Sequence, residues 1–292
     1  MNEPVNQQNS NEWFYDSYND HAGLLIHVKE KIADLQTKLQ HVQIFDTEEF
    51  GKILVLNKYM YQAEQGTELT EMLVHVPMNT GVEKKKVLLI GGGDGISLSQ
   101  LIKYPEIESI DVVDIDEELT KLCQDKFVTP EKVWQDPRIH LFFEDGFAFL
   151  EKSKTKYDLI LSAVSEIFSA DGSPGMAYKL YTNEFYQIVS NHLTENGIFV
   201  SDGTTVHYTA KGYEWWEYGK QLKSVFPVVF PYHFNSKRMP GGEFVLLWGS
   251  KTTDPIKDFR KPQSTLRTIY YNPEIHLASF SLPENMKQKW QK

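Results

Sequence analysis

The chain has 292 residues, of which 41% are hydrophobic, and a formal net charge of −10. That length and apolar content suffice for a full core, in one large domain or two modest ones. The negative balance argues against nucleic acid or an acidic membrane surface as partner, since both call for a cationic face, and it suits a small cationic substrate. One cysteine, Cys123, excludes an internal disulfide and fits a reducing cytoplasm. It falls in a predicted helix without a Cys-X-X-Cys partner, so a plain structural role is expected. No apolar run approaches the ~20 residues that span a bilayer, and the polar start MNEPVNQQNSNEW does not read as a signal peptide.

Residues 1–12 are polar and expected to fray. Leu24 to about Tyr61 is β-like, with apolar positions at Val42, Ile44 and Phe45 and a turn at Glu48–Gly51 before the run Ile53–Leu56. Thr67 to Met78 reads as a helix with Leu69, Met72, Leu73 and Val76 on one face. The basic segment GVEKKK (81–86) marks a boundary, giving a β-rich unit over 1–80 and a second unit over 81–292. Strands and helices then alternate. VLLIG is a continuous apolar run, as expected of a strand buried on both faces. SLSQLIKY follows as helix, IDVVDI as strand, EELTKLCQDKF as helix and IHLFFED as strand. FAFLEKS, YDLILSAV, NEFYQIVSNHL and GIFVSDG continue the alternation, and EWWEYGKQLKSVF and EFVLLWGSK supply a last helix and strand. This is the pattern of a doubly wound α/β fold.

Gly91, Gly93 and Gly95 form a G-x-G-x-G loop directly after a strand. Glycine suits a turn with unusual φ and a close backbone approach to a ligand, although a tight strand–helix turn alone would explain it too. Asp114 ends the next strand, about 20 residues on, where a carboxylate can accept both ribose hydroxyls. The spacing is not G-x-G-x-x-G, and Asp94 lies inside the loop. A carboxylate there repels a pyrophosphate but can pair with the amine of a methionine-derived tail, which favours an S-adenosylmethionine-type ligand over a dinucleotide. Asp145–Gly146 ends the third strand, where a side-chain acceptor and a backbone amide can read an adenine edge. Asp145 can equally be a helix N-cap.

With these motifs in order, the sequence resembles the spermidine synthase (polyamine aminopropyltransferase) family. VLLIGGGDG, VVDID, the DPRI–EDG stretch, LYTNEFYQIV and NGIFVSDG carry the likeness, with IFDTEEFGKILVLN before them and YYNPEIHLASFSLP after. The resemblance implies a Rossmann-like class I S-adenosylmethionine-dependent transferase fold with a small N-terminal β-domain, often used for dimerisation, so a homodimer is expected. It also implies decarboxylated S-adenosylmethionine as cofactor, a small-molecule amine acceptor such as putrescine, and no metal ion.

Carried over position by position, the nucleotide side is kept. Gln40 matches a cofactor-contacting glutamine, Asp94 the acid at the cofactor amine, Asp114 the ribose acid and Asp145–Gly146 the adenine pair. The acceptor side is not kept. The family's D-x-x-D-P segment, whose first aspartate is the general base, becomes YDLILSAVSEIF, with Ala163 at the base and Glu166 at the second acid. Its D-E-F-x-Y-H-E segment becomes QGTELTE, leaving Thr70 at the histidine and Glu71 at the last acid. The aromatic P-T-Y segment becomes FNSKRMPGGE, and the loop after Glu166 is longer than usual.

A primary amine is protonated at neutral pH, so a base must free its lone pair before it can displace the sulfonium group. Three readings follow. In the first, a divergent aminopropyltransferase uses Glu166 or Glu71 as the replacement base and an amine acceptor other than standard putrescine. Glu64 and Glu68 join these two as possible anchors for a distal ammonium. In the second, S-adenosylmethionine itself donates a methyl or 3-amino-3-carboxypropyl group, with Lys237 and Arg238 available to an anionic tail. In the third, the protein binds the nucleotide without catalysis.

Overall fold

A computed structural model describes residues 13–19, 21–127, 131–164, 175–207 and 214–291. The stretch expected to fray lies outside them. Strands β1 (Trp13–Asn19), β2 (Ala22–Gln36), β3 (His41–Thr47), β4 (Gly51–Leu56) and β5 (Tyr59–Ala63) form an antiparallel sheet in chain order. Alternation decides its packing. Val42, Ile44, Leu54 and Leu56 face one side, and Ile26, Ile53, Val55 and Met60 the other. Asn57 and Lys58 join β4 to β5 with φ of 47° and 76°. Positive φ at both positions of a two-residue hairpin suits the right-handed twist of the flanking strands.

The helix read from Thr67 to Met78 is α1 (Glu68–Met78). Every residue from Leu69 to Met78 is buried, and its apolar side chains belong to the core of the second sheet. The helix precedes the basic segment at 81–86, so a boundary at residue 80 separates it in sequence from the core that it fills.

The second unit runs β6 (Lys86–Gly91), α2 (Ile96–Leu101), β7 (Ser109–Asp114), α3 (Glu117–Lys126), α4 (Glu131–Trp134), β8 (Ile139–Phe143), α5 (Gly146–Lys152), β9 (Tyr157–Ala163) and α6 (Asn183–His192). It ends with β10 (Leu193–Thr205), α7 (Trp215–Lys223), β11 (Val228–Asn235), β12 (Glu243–Ser250), α8 (Pro273–Ala278) and α9 (Glu284–Gln291). Its sheet has the order β11-β12-β10-β9-β6-β7-β8. β6 to β10 pair in parallel, and β12 runs antiparallel to both β10 and β11. Val87 and Leu89 enter the core on one face and Leu88 and Ile90 that on the other, which explains the unbroken apolar run of β6. Strand order reverses between β6 and β9, so a crevice opens at their carboxyl ends.

The small sheet lies over that end of the large one. Its Val42, Ile44, Leu54 and Leu56 pack against Leu119, Cys123 and Phe127 of the α3 region. Cys123 is fully buried there, and burial pushes its thiol well above the usual range. It is a packing residue.

Candidate active site

A cleft of about 670 Å³, counting its open mouth, lies at the reversal point. Its floor is the glycine loop. Gly91 has φ +78°, and a Cβ there would stand 2.1 Å from the carbonyl oxygen of Ala163, its partner across β6 and β9. Gly93 has no room either, because a Cβ would meet Asp114 Oδ2 at 2.6 Å and Thr120 Oγ1 at 2.3 Å. The backbone instead uses that closeness, since Gly93 N–H donates to Asp114 Oδ2 at 2.8 Å. Gly92 also lines the cleft, whereas Gly95 stands behind it as the left-handed N-cap of α2.

The acids named from the sequence gather here. Asp114 Oδ1 accepts from Asp116 N–H at 2.9 Å, and burial raises its carboxyl above the ordinary range. Asp94 Oδ1 accepts from Ile96 N–H at 2.7 Å; burial, with the nearby Asp114 adding to it, pushes its carboxyl up to about 6. Gln40 reaches the cleft from the turn before β3 and donates to Asp116 Oδ2 at 2.9 Å, an oxygen that also accepts from Thr37. Asp145 and Gly146 line the wall. Asp145 caps α5 through Ala148 N–H at 3.0 Å and meets Lys179 at 2.7 Å. The N-cap geometry and a place on the wall coexist in this residue.

Comparison with known proteins fits this geometry. The spermine/spermidine synthase domain model matches residues 67–260, and that of the spermidine synthase tetramerisation domain residues 12–64. The chain belongs to the spermine/spermidine synthase family. It is 33% identical over 281 residues to a polyamine aminopropyltransferase of Alkaliphilus metalliredigens, covering 95% of this chain and 97% of that protein. A polyamine aminopropyltransferase of Clostridium perfringens is 33% identical over 279 residues, covering 94% and 96%. Among solved structures, a spermidine synthase in complex with the transition-state analogue AdoDATO superposes with a TM-score of 0.90 at 28% identity, covering 99% of this chain and 98% of that one. The spermidine synthase of Thermotoga maritima gives 0.87 at 27%, covering 100% and 97%. The family is one of transferases, and the strand order above is its Rossmann-like class I S-adenosylmethionine-dependent fold.

The acceptor-side residues of the family pattern fare differently. Ala163 lines the cleft at the end of β9 and brings no titratable group. Thr70 is buried within α1, its hydroxyl donating to Thr67 O at 2.9 Å. Glu71, expected from the sequence as a possible base, is occupied elsewhere. Its buried carboxylate accepts from the backbone N–H groups of Ile269, Tyr270 and Tyr271 at 2.8–3.2 Å, and from Thr67 Oγ1 at 3.3 Å. It does not line the cleft. A carboxylate so fully engaged by fixed donors holds the 269–271 segment to α1. Glu64 and Glu68 are likewise engaged, with Lys52 N–H and Ser236 Oγ. Glu166 lies outside the described residues.

Lys237 and Arg238 part company. Lys237 is exposed and bonded to Glu49. Arg238 turns inward, 4% exposed, and its Nη1 donates to the carbonyl of Tyr61. Tyr61 in turn lines the cleft and donates its hydroxyl to Ala163 O at 3.1 Å. Asp94, Asp202 and Glu68 surround the guanidinium. Tyr61 and Asp202 were not legible as site residues, because they join Ala163 only through pairings distant in the chain.

Proposed function

We propose that this protein transfers an aminopropyl group from decarboxylated S-adenosylmethionine to an amine acceptor other than putrescine. The observation that carries this reading is Arg238, a buried guanidinium that donates to the carbonyl of Tyr61 behind the wall where Tyr61 meets Ala163, in a cleft that keeps Asp94, Asp114, Asp145 and Gly146. Gln40, Gly91, Gly93, Asp94, Asp114, Asp145 and Gly146 are the donor-binding set, with Asp114 for the ribose, Asp94 for the amine and Asp145–Gly146 for the adenine. Gly95 supports the loop from behind. A diamine needs a base for one nitrogen and an anion for the other. Ala163 removes a carboxylate from the cleft wall, Glu64, Glu68 and Glu71 are engaged by protein donors, and Arg238 competes with a distal ammonium for the acids around it.

The same guanidinium favours a second reading, in which S-adenosylmethionine itself is the donor and Arg238 meets its carboxylate, moving a 3-amino-3-carboxypropyl group. One experiment separates them. The protein is incubated with each donor and a panel of amines with and without a second charged group, and methylthioadenosine release and product mass are followed. Turnover of the decarboxylated donor, with putrescine a poor acceptor, is the expected result. Preference for the intact donor would establish the second reading. Efficient conversion of putrescine to spermidine would overturn the altered acceptor, and release of no methylthioadenosine from either donor would overturn transfer of the propyl arm.

A further inference from the structure

We propose that Asp202 is the general base that removes the acceptor's proton in this chain. The inference rests on the transferase reading above. β9 and β10 run in parallel with Ser162 opposite Ser201, so the next residues, Ala163 and Asp202, stand side by side at the carboxyl ends of the two strands. Side chains alternate along a strand. Leu159, Leu161 and Ala163 enter one core and so do Ile198 and Val200, which puts Asp202 on the same face as Ala163. The carboxylate missing from one strand end is therefore present on its neighbour.

Two features mark this strand end as shaped for a purpose. The pairing of β10 with β12 is irregular between Asp202 and Thr204, and Thr204 has φ +110°, rare for a residue with a side chain. Asp202 Oδ1 is buried and has no hydrogen-bond partner among the described residues. A buried carboxylate oxygen without a partner costs stability, so its retention calls for a reason. An arriving ammonium supplies the missing donor.

The surroundings suit the task. The charged and titratable groups turned toward Asp202 are the Arg238 guanidinium and the phenols of Tyr61, Tyr181 and Tyr232. Asp94 and Glu68 share that guanidinium, and Tyr218 packs on Tyr181. Burial pushes the Asp202 carboxyl up to about 7, with Arg238 restraining the rise. A base poised near neutrality best combines proton affinity with an available ionised fraction. Asp202 takes one proton from the ammonium. The freed nitrogen lone pair forms the new N–C bond to the propyl carbon on the sulfonium sulfur. The C–S bond breaks with its electron pair going to sulfur, leaving neutral methylthioadenosine, and the proton on Asp202 passes to solvent.

The test uses decarboxylated S-adenosylmethionine with two probe acceptors, butylamine, which is protonated at neutral pH, and 2,2,2-trifluoroethylamine, which is not. Methylthioadenosine release is measured for the wild type and Asp202→Asn between pH 6 and pH 9. The variant is expected to lose about 10²–10⁴-fold with butylamine at neutral pH. It should recover as pH rises, and lose little with the fluorinated amine. Undiminished binding of methylthioadenosine shows that the variant is folded. The wild type supplies a reading that needs no variant, a rate with butylamine that rises through about pH 7 and a rate with the fluorinated amine that does not. Equal loss with both amines, or a variant as active as the wild type, overturns Asp202 as base while leaving transfer intact. No methylthioadenosine from the wild type with either amine overturns the transferase reading, and Asp202 with it.

Discussion

The two halves of the cleft solve their electrostatic problems in opposite ways. On the donor side, each acid is tied to backbone N–H groups of the loop or helix beside it, Asp114 to Gly93 and Asp116, Asp94 to Ile96, and Asp145 to Ala148. Local chain geometry holds these carboxylates, and a strand–loop–helix motif is enough to specify them. Behind the wall at Tyr61 and Ala163, the proposed acceptor side, Arg238, Tyr61 and Asp202 come from three distant segments, and two polar atoms, Arg238 Nε and Asp202 Oδ1, are buried without partners among the described residues. The donor half is self-sufficient. In the proposed reading the acceptor half is completed by the amine that binds there.

The contrast can be broken most severely at Glu71, which belongs to the fold and not to the cleft. Glu71→Ala strands several backbone donors, and charged hydrogen bonds are worth about 1.5–3 kcal/mol each, so a loss of at least about 3 kcal/mol in unfolding free energy is expected by denaturant titration. A stable variant without transfer activity would instead return Glu71 to the list of bases. Next comes Asp114→Asn, which should weaken binding of methylthioadenosine by about 1–3 kcal/mol. Unchanged affinity in a folded variant would remove the ribose assignment. Asp94→Asn sharpens the picture, because calorimetry should show a smaller loss for methylthioadenosine, which lacks the amine, than for the amine-bearing donor. Equal losses would make Asp94 a loop-shaping residue only. The smallest effect is expected at Lys237→Ala, whose exposed contacts to Glu49 are worth within about 0.5 kcal/mol in stability and nothing in donor choice.

A pH dependence also follows from Asp202. Its carboxyl is held near 7 in the fold against an ordinary value of 3.8. The folded chain therefore holds a proton that the unfolded chain has released, and the stability this contributes is complete below about pH 4 and lost as pH rises through about 7. The wild type should therefore lose stability relative to the neutral Asp202→Asn variant over that window. A flat difference would show that the carboxyl ionises normally.

What the residues revealed in advance follows the same division. β6 was legible because burial on both faces leaves an unbroken apolar run, and the glycine loop because its φ values and close approaches exclude other residues. β11 was not, since Pro231 interrupts the run VVFPYHFN, yet an edge strand tolerates it. β1, likewise an edge strand, carries polar Asp16, Ser17 and Asn19 among its aromatics and shows no strand pattern in the sequence. Glu71 meets the backbone of 269–271 and not the cleft because a family position indicates where a side chain begins and not which donors meet it. Asp202 escaped notice for a simpler reason. That one strand end adjoins another is a property of parallel register, which no local pattern encodes.

In the proposed reading the donor half of the cleft is kept and the acceptor half rebuilt. The most direct measurement is a calorimetric titration of putrescine into protein saturated with methylthioadenosine, paired with the rate of spermidine formation from decarboxylated S-adenosylmethionine. Methylthioadenosine is expected to bind, and putrescine then to add no binding heat and to be the poorest amine tested. Tight putrescine binding to the loaded protein, with spermidine formed faster than any other product, would contradict it.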